Sequence, residues 1–381
     1  QGPDGSDVPD ASFENTNLLY YDESVVGSSP NRENAGWTTI GEESVEGNTF
    51  DGGGSLTSTI PQGLGMIVYP FGDDNNDGTT TAAEQFPKTI DAVGSPNFSP
   101  STSLPVQATD TDNDGDYQDG DGWNLVGNPY LNVIDWDSFI PSEDASNEDL
   151  SDVVYVYDAG NTQYLSYNGT EDSGLDSDFA AFGHIAPTQA FFVNATGSSP
   201  SLTIDITEDQ VPASETSDDP FLPKSASPSQ DRALALETSI VDTDITSNVR
   251  ATFRSDGELG RDDHDALQLR APGSGLGNKA LLELYSVLED GTGLSINNIP
   301  YNLDSKTTIP VEPKLRGCDG SEPYVGEATI SLGSTRNIPT SWGLALKDTK
   351  TGDLIELRDT TQSEYTYTLE SSTPASTCES L

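Results

Sequence analysis

The 381-residue chain carries 64 Asp plus Glu against 16 Lys plus Arg, a formal net charge of −48. Binding a polyanion needs clustered Lys and Arg to displace counterions, so nucleic acid is excluded as a partner, and an anionic membrane surface with it. With 33% hydrophobic residues, 36 Gly and 24 Pro, the apolar side chains have to sit in short strands separated by many turns, at a length that favours two or three domains.

Residues 1–18 read as an extended N-terminal segment, either a loose end or a donor strand. Residues 19–207 read as a first β-sandwich module with strand-like runs at 17–21, 65–69, 153–157, 189–193 and 201–206. The last of these alternates: Leu202, Ile204 and Ile206 face one way, Ser201, Thr203 and Asp205 the other. Helical periodicity over ten or more residues is nowhere convincing. Residues 208–232, with four prolines between Val211 and Ser229 and little apolar content, have linker composition. Residues 233–381 read as a second β-sandwich, with runs at 233–238, 249–253, 280–285, 327–332, 342–347, 354–357 and 364–369. The expectation is an all-β chain of tandem antiparallel sandwiches, jelly-roll or immunoglobulin-like. No stretch of 18 apolar residues occurs, so no membrane span is expected.

Charge density changes at the same boundary. Residues 1–230 hold only Arg32, Lys88 and Lys224 as basic side chains, and the other 13 follow. The first part cannot neutralise itself with ion pairs, and self-repulsion of this size opposes a compact state. Two remedies are expected: cations bound at fixed sites, and high ionic strength, which shortens the Debye length to about 3 Å at 1 M. Seven Lys beside an excess of Asp suit a halophilic source.

Two acidic loops have the spacing of a twelve-residue calcium loop. In 73–84, Asp73, Asn75 and Asp77 supply oxygens at positions one, three and five, Gly78 makes the sharp turn, Thr79 takes position seven and Glu84 closes the shell. In 110–121, Asp110, Asp112, Asp114 and Asp116 repeat the pattern, with Asp121 at position twelve. Flanking helices are missing, so the expectation is an isolated calcium loop tying down a β-domain connection; solvated acidic turns are the alternative. Cys318 and Cys378 are the two cysteines. Paired, they close a loop of about 60 residues, worth roughly 4 kcal/mol in the chain-entropy model, and export permits that bond.

Catalytic signals are thin. His184 and His264 are the two histidines, and no nucleophile elbow, zinc-protease helix or phosphate loop is present. Arg261-Asp262-Asp263-His264-Asp265 reads as an acidic turn rather than a metal or base site. The aromatics Trp37, Trp123, Trp136, Tyr155, Tyr157, Tyr164 and Tyr167 fit a carbohydrate platform or strand packing, and the Val-Tyr-Val-Tyr alternation favours packing.

Gly122-Trp123-Asn124-Leu125-Val126-Gly127-Asn128-Pro129-Tyr130, with Ile134-Asp135-Trp136-Asp137, Val154 to Asp158 and Ile185 to Val193, resembles a module common in large secreted surface proteins of the Bacteroidota, which typically leave through the type IX secretion system. Tyr20 to Ser24, Gly36-Trp37-Thr38 and Gly63 to Tyr69 resemble its earlier part. Ala233 to Leu236, Arg250 to Phe253, Asp262 to Asp265 and Leu294-Ser295-Ile296 resemble the β-sandwich that commonly follows it. The resemblance implies location and architecture and carries no catalytic residues. The sequence thus points to a non-enzymatic, extracellular, cell-surface structural or adhesin-like protein. It would be a repeated subunit of a layer or filament, stabilised by calcium and associating with itself or other envelope proteins. The alternative is the non-catalytic, glycan-binding part of a secreted hydrolase.

Overall fold

The computed structural model describes residues 18–24, 36–39, 62–68, 96–110, 117, 121–138, 149–158, 163–169, 183–205, 232–243, 245–255, 257–269, 281–301, 306–316, 319–358 and 364–375. These residues form an all-β protein with mostly antiparallel sheets and no α-helix among them. The chain divides into two compact units, residues 1–151 with 184–214, and residues 152–183 with 215–381. A linear cut at the linker keeps 152–183 with the first module; in the structure that segment belongs to the second unit.

The first unit is built from short strands. β1 (Leu18–Tyr21) lies between β2 (Trp37–Thr39) and β3 (Met66–Val68), antiparallel to both. β4 (Ser101–Ser103) pairs with β11 (Thr203–Asp205), β5 (Trp123–Gly127) with β10 (Ala190–Asn194), and β6 (Ile134–Asp135) with β9 (His184–Ile185). The stretch before β3 joins β5: the Gly65 amide donates to Leu125 O at 3.1 Å and the Gly127 amide to Gly63 O at 2.9 Å. That approach requires glycine, because a Cβ on Gly65 would stand 2.6 Å from Leu125 Cγ.

Aromatic rings fill the space this leaves. Phe192 is the hub, meeting Tyr21 at 5.2 Å, Trp37 at 5.9 Å and Trp123 at 6.2 Å between ring centroids, each edge to face. Trp136 meets Phe191 in the same way. Such contacts add about 0.5–1.5 kcal/mol each to the area the rings bury.

The second unit has longer strands. β7 (Val154–Asp158) and β8 (Gln163–Tyr167) form an antiparallel hairpin. The main sheet runs in the order β17 (Val311–Arg316), β15 (Leu281–Val287), β16 (Gly293–Pro300), β13 (Thr246–Arg254), β12 (Arg232–Ile240), β18 (Asp319–Arg336), β21 (Glu364–Ala375), with β14 (Ala266–Leu267) beside β16. β13 and β16 are parallel, and their neighbours are antiparallel. A separate hairpin joins β19 (Ala345–Lys347) and β20 (Leu354–Glu356).

Alternation places the core of this unit. In β12, Leu236 and Ile240 project into it, and Val249, Leu284, Ile330 and Leu357 gather around Leu236. Val311 of β17 and Tyr365 and Tyr367 of β21 pack against the same cluster, so both ends of the sheet contribute to one core. At the start of β12, the Arg232 guanidinium lies 3.9 Å above the Tyr301 ring and 5.2 Å from that of Trp342. Arg232 is the last residue of the expected linker, the rest of which lies outside the described residues.

Candidate functional site

The residues that flank the 110–121 stretch are tied together by hydrogen bonds into a neck. Glu23, just past β1, is 2% exposed. Its carboxylate accepts from the Thr109 amide at 2.5 Å, from Thr109 Oγ1 at 2.8 Å and from the Gly122 backbone N–H. Thr109 and Gly122 are the residues on either side of the twelve-residue loop. One side chain therefore closes both its ends.

Neutral amides reinforce that closure. Asn124 Oδ1 accepts from the Gln107 amide at 2.9 Å, while its Nδ2 donates to Gln107 O at 2.8 Å and Gly122 O at 2.9 Å. Asn194 Nδ2 donates to Asp121 O at 2.9 Å, and the Ala195 amide to Gly122 O at 2.7 Å. Gly122 turns the chain at φ +70°, where a Cβ would meet Ala195 O at 2.6 Å. Below the neck, Asn128 Oδ1 accepts from the Tyr130 amide, making an Asx turn ahead of Pro129, and Nδ2 is shared among the carbonyls of Asn132, Ile185 and Ala186. Tyr130 then reaches Thr102 Oγ1 and Ile204 O. The physical content of the Trp-Asn-Leu-Val-Gly-Asn-Pro-Tyr block is thus a set of buried hydrogen-bonding side chains that hold loop ends onto a sheet.

Electrostatics at the neck is unfavourable to charge. Burial pushes the Glu23 carboxyl above its ordinary value and the nearby Asp121 carboxylate adds to the rise, against the donors from Thr109 and Gly122 that pull it down. His184, 5% exposed in β9, is driven the other way for a base: burial lowers it to about 4, so it is neutral in the fold.

A second acidic constellation lies in the second unit, where Asp262 to Asp265 form a tight turn. Asp262 Oδ1 accepts from the His264 amide, and Oδ2 from the Glu258 amide and Asn298 Nδ2. Asp265, 3% exposed, accepts from the Asn298 amide at 2.6 Å and the Asp262 amide at 3.0 Å. His264 Nδ1 stands 3.2 Å from the wholly buried Asp152 carboxylate. Burial pushes Asp265 up to about 8, with the Asp262 carboxylate adding to the rise, and burial raises Asp262 and Asp263 as well. The turn behaves as a structural knot in which the oxygens of Asp262 and Asp265 are already engaged.

Of the expected cation ligands, Asp110 and Asp121 are described, and Asp121 is buried at the neck. Asp112, Asp114 and Asp116 lie outside the described residues, as do Asp73, Asn75, Asp77, Thr79 and Glu84 and both cysteines, Cys318 and Cys378. Among the described residues no three His, Cys, Asp or Glu side chains converge on a point where a metal ion would sit. The aromatics separate more sharply: Trp37, Trp123, Trp136, Tyr155 and Tyr167 are buried and Tyr157 and Tyr164 half-buried, so they are packing residues. Glu23, Asn194 and Asp152 were not singled out from the sequence. The available signal was a polar residue at the end of, or just past, an apolar strand run, where burial demands a partner.

No protein-family model, curated protein or solved structure matches the chain.

Proposed function

We propose that this chain is a non-catalytic, extracellular structural or adhesin-like protein of the cell surface. On this reading it is two β-sandwiches in tandem, repeated in an envelope layer or filament, with calcium at its acidic loops. The observation that carries the reading is the neck of the 110–121 loop. Six Asp within twelve residues repel one another, and a free loop would relieve this by extending. Here both ends are pinned by Glu23, Asn124 and Asn194, so the repulsion is relieved only by protons, salt or a bound cation. A hard cation taking Asp110, Asp112, Asp114, Asp116 and Asp121 would supply that charge through oxygen ligands, the chemistry calcium prefers. The 73–84 loop, with Asp73, Asn75, Asp77, Thr79 and Glu84, has the same ligand spacing.

A stacking platform for glycans needs exposed, coplanar aromatics. Among the described residues Phe98 is the one exposed aromatic side chain, at 81%, which favours the structural reading over the glycan-binding one. The resemblance to type IX secretion substrates agrees with display outside the cell and with the absence of catalytic motifs.

Thermal unfolding in molar salt, with and without a calcium chelator, tests this. The expected outcome is a large fall in Tm on chelation, restored by calcium and not by added sodium, with ordered assemblies in electron micrographs dissolving in parallel. An unchanged Tm would overturn the calcium sites, and dispersed particles under all conditions would overturn the layer or filament.

A further inference from the structure

We propose that the Asp262–Asp265 turn is a proton-dependent clasp that fastens the β7–β8 hairpin to the sheet of the second unit. The hairpin comes from residues 152–183, about a hundred positions before the turn it meets. Several of its contacts converge on this turn. The Asp152 amide donates to Asp263 O at 3.1 Å, Asn168 Nδ2 donates to His264 O at 2.8 Å, and His264 Nδ1 approaches Asp152 Oδ2 at 3.2 Å. Immediately beyond the turn, the Leu267 amide donates to the Tyr155 hydroxyl at 2.8 Å, and Ser166 and Ser295 join hydroxyls at 2.9 Å. On its other side the turn grips β16 through Asn298, whose amide bonds Asp265 and whose side chain bonds Asp262.

Asp152, Asp262, Asp263 and Asp265 place four carboxyls around one turn: Asp152 and Asp265 are buried, Asp262 is half-buried and Asp263 exposed. Burial raises Asp262, Asp263 and Asp265. The charged and titratable groups facing Asp265 are Asp262 and Arg261 from its own segment and the Tyr155 hydroxyl from β7. Asn298 from β16 is neutral. Asp263 faces Asp152, His264 and Arg261. One guanidinium, Arg261, and the His264 imidazole therefore stand against four acids, and closure is favoured when one acid, the buried Asp265, keeps its proton. Its raised folded value sets the sign: the stabilisation is complete below the ordinary aspartate range, near 3.8, and is lost as pH rises towards about 8. In the open turn Asp265 is an ordinary carboxylate, so each opening releases one proton.

Amide hydrogen exchange on the full chain in molar salt reads this directly. The amides of Asp152, Leu267 and Asn298 donate within the clasp, so they exchange when it opens. Base-catalysed exchange alone gives about a tenfold rise in rate per pH unit; a coupled proton release adds about another tenfold. The expected logarithmic slope at these three amides is about two between roughly pH 5 and 7, falling to about one above 8, with rates faster than that of the Leu236 amide in β12. In Asp265→Asn the slope falls to about one throughout. A slope of one in the wild-type chain, or rates and slopes at Leu236 identical to those of the three amides, overturns the clasp. The wild-type profile decides the matter even if the variant fails to fold.

Discussion

The two units solve one problem, loops that must be held onto a sheet in a very acidic chain, with different chemistry. In the first, whose basic side chains are Arg32 and Lys88 alone, one buried carboxyl, Glu23, works beside three neutral amides, Asn124, Asn128 and Asn194, and the core is a cluster of edge-to-face rings around Phe192. In the second, the anchors are the carboxyls of Asp262 and Asp265, with Arg261 and His264 close by, and the strands reach 18 residues. An amide gives donors and acceptors without charge, so it holds where no cation is at hand. A buried carboxyl brings two acceptor oxygens but ties stability to pH. Net charge therefore does not set a uniform architecture: with few basic side chains at hand, the first unit places neutral amides at most of these positions.

Removing the hub of the first unit is the largest way to break that contrast. Phe192→Ala deletes the ring that Tyr21, Trp37 and Trp123 all contact and leaves a cavity, at a cost of about 3–5 kcal/mol. Exchange at amides of β5 and β10 is expected to rise by more than a hundredfold, with the β12–β18 ladder much less affected; equal loss in both ladders would break the contrast. Asn124→Asp probes the anchors instead. The substitution keeps the shape but sets a carboxylate oxygen against the carbonyls of Gln107 and Gly122, where the amide now donates. The expected loss is about 3 kcal/mol near neutral pH, read as a lower midpoint in urea, and smaller in acid as the new carboxyl takes up a proton.

The pH responses of the units sharpen the comparison further, because their buried groups pull in opposite directions. His184 is lowered to about 4 from an ordinary 6.5, so the folded state binds its proton less well than the unfolded one. Its contribution is present above 6.5 and is lost as pH falls through 6.5 towards 4, reaching about 2 kcal/mol at pH 5. Asp265 does the reverse, gaining as pH falls from about 8. Glu23 also rises on burial and opposes His184 within the first unit. The His184 share is therefore the difference between wild type and His184→Asn in urea midpoints at pH 7 and pH 5. The gap between the two proteins should change by about 2 kcal/mol; a constant gap would exclude the histidine as the source.

Strand positions were legible because alternation and turn residues are local signals. The runs at 233–238, 249–253 and 364–369 fall within β12, β13 and β21. β16 was seen only as Leu294-Ser295-Ile296 in the family resemblance. It is buried along nearly its whole length and carries Asn297 and Asn298 in place of apolar residues, so it shows neither alternation nor a continuous apolar run. The contacts of 152–183 with the second unit were illegible for another reason: they run from Asp152, Tyr155 and Asn168 to residues about a hundred positions later, and no local pattern encodes a partner at that distance. Glu23 belongs to the same class. It reads as one acid among 64, and only its place beside Thr109 and Gly122 distinguishes it.

The smallest expected effect concerns a stacked guanidinium of the second unit. Arg232 opens β12 with its guanidinium over Tyr301 and beside Trp342, whose ring in turn meets Phe253 edge to face at 5.3 Å. A planar guanidinium stacks on both faces it touches, whereas an ammonium acts as a point charge and is more strongly hydrated. Arg232→Lys therefore keeps the charge and loses the stack, at about 0.5–1 kcal/mol. Because Trp342 is the tryptophan of the second unit while Trp37, Trp123 and Trp136 belong to the first, its fluorescence can be isolated by replacing the other three with Phe one at a time and taking differences. A shift confined to the Trp342 signal, with a small fall in the urea midpoint, is the expected result. An equal loss from Arg232→Lys and Arg232→Met would show that stem packing, and not the stacked cation, is what β12 gains from this side chain.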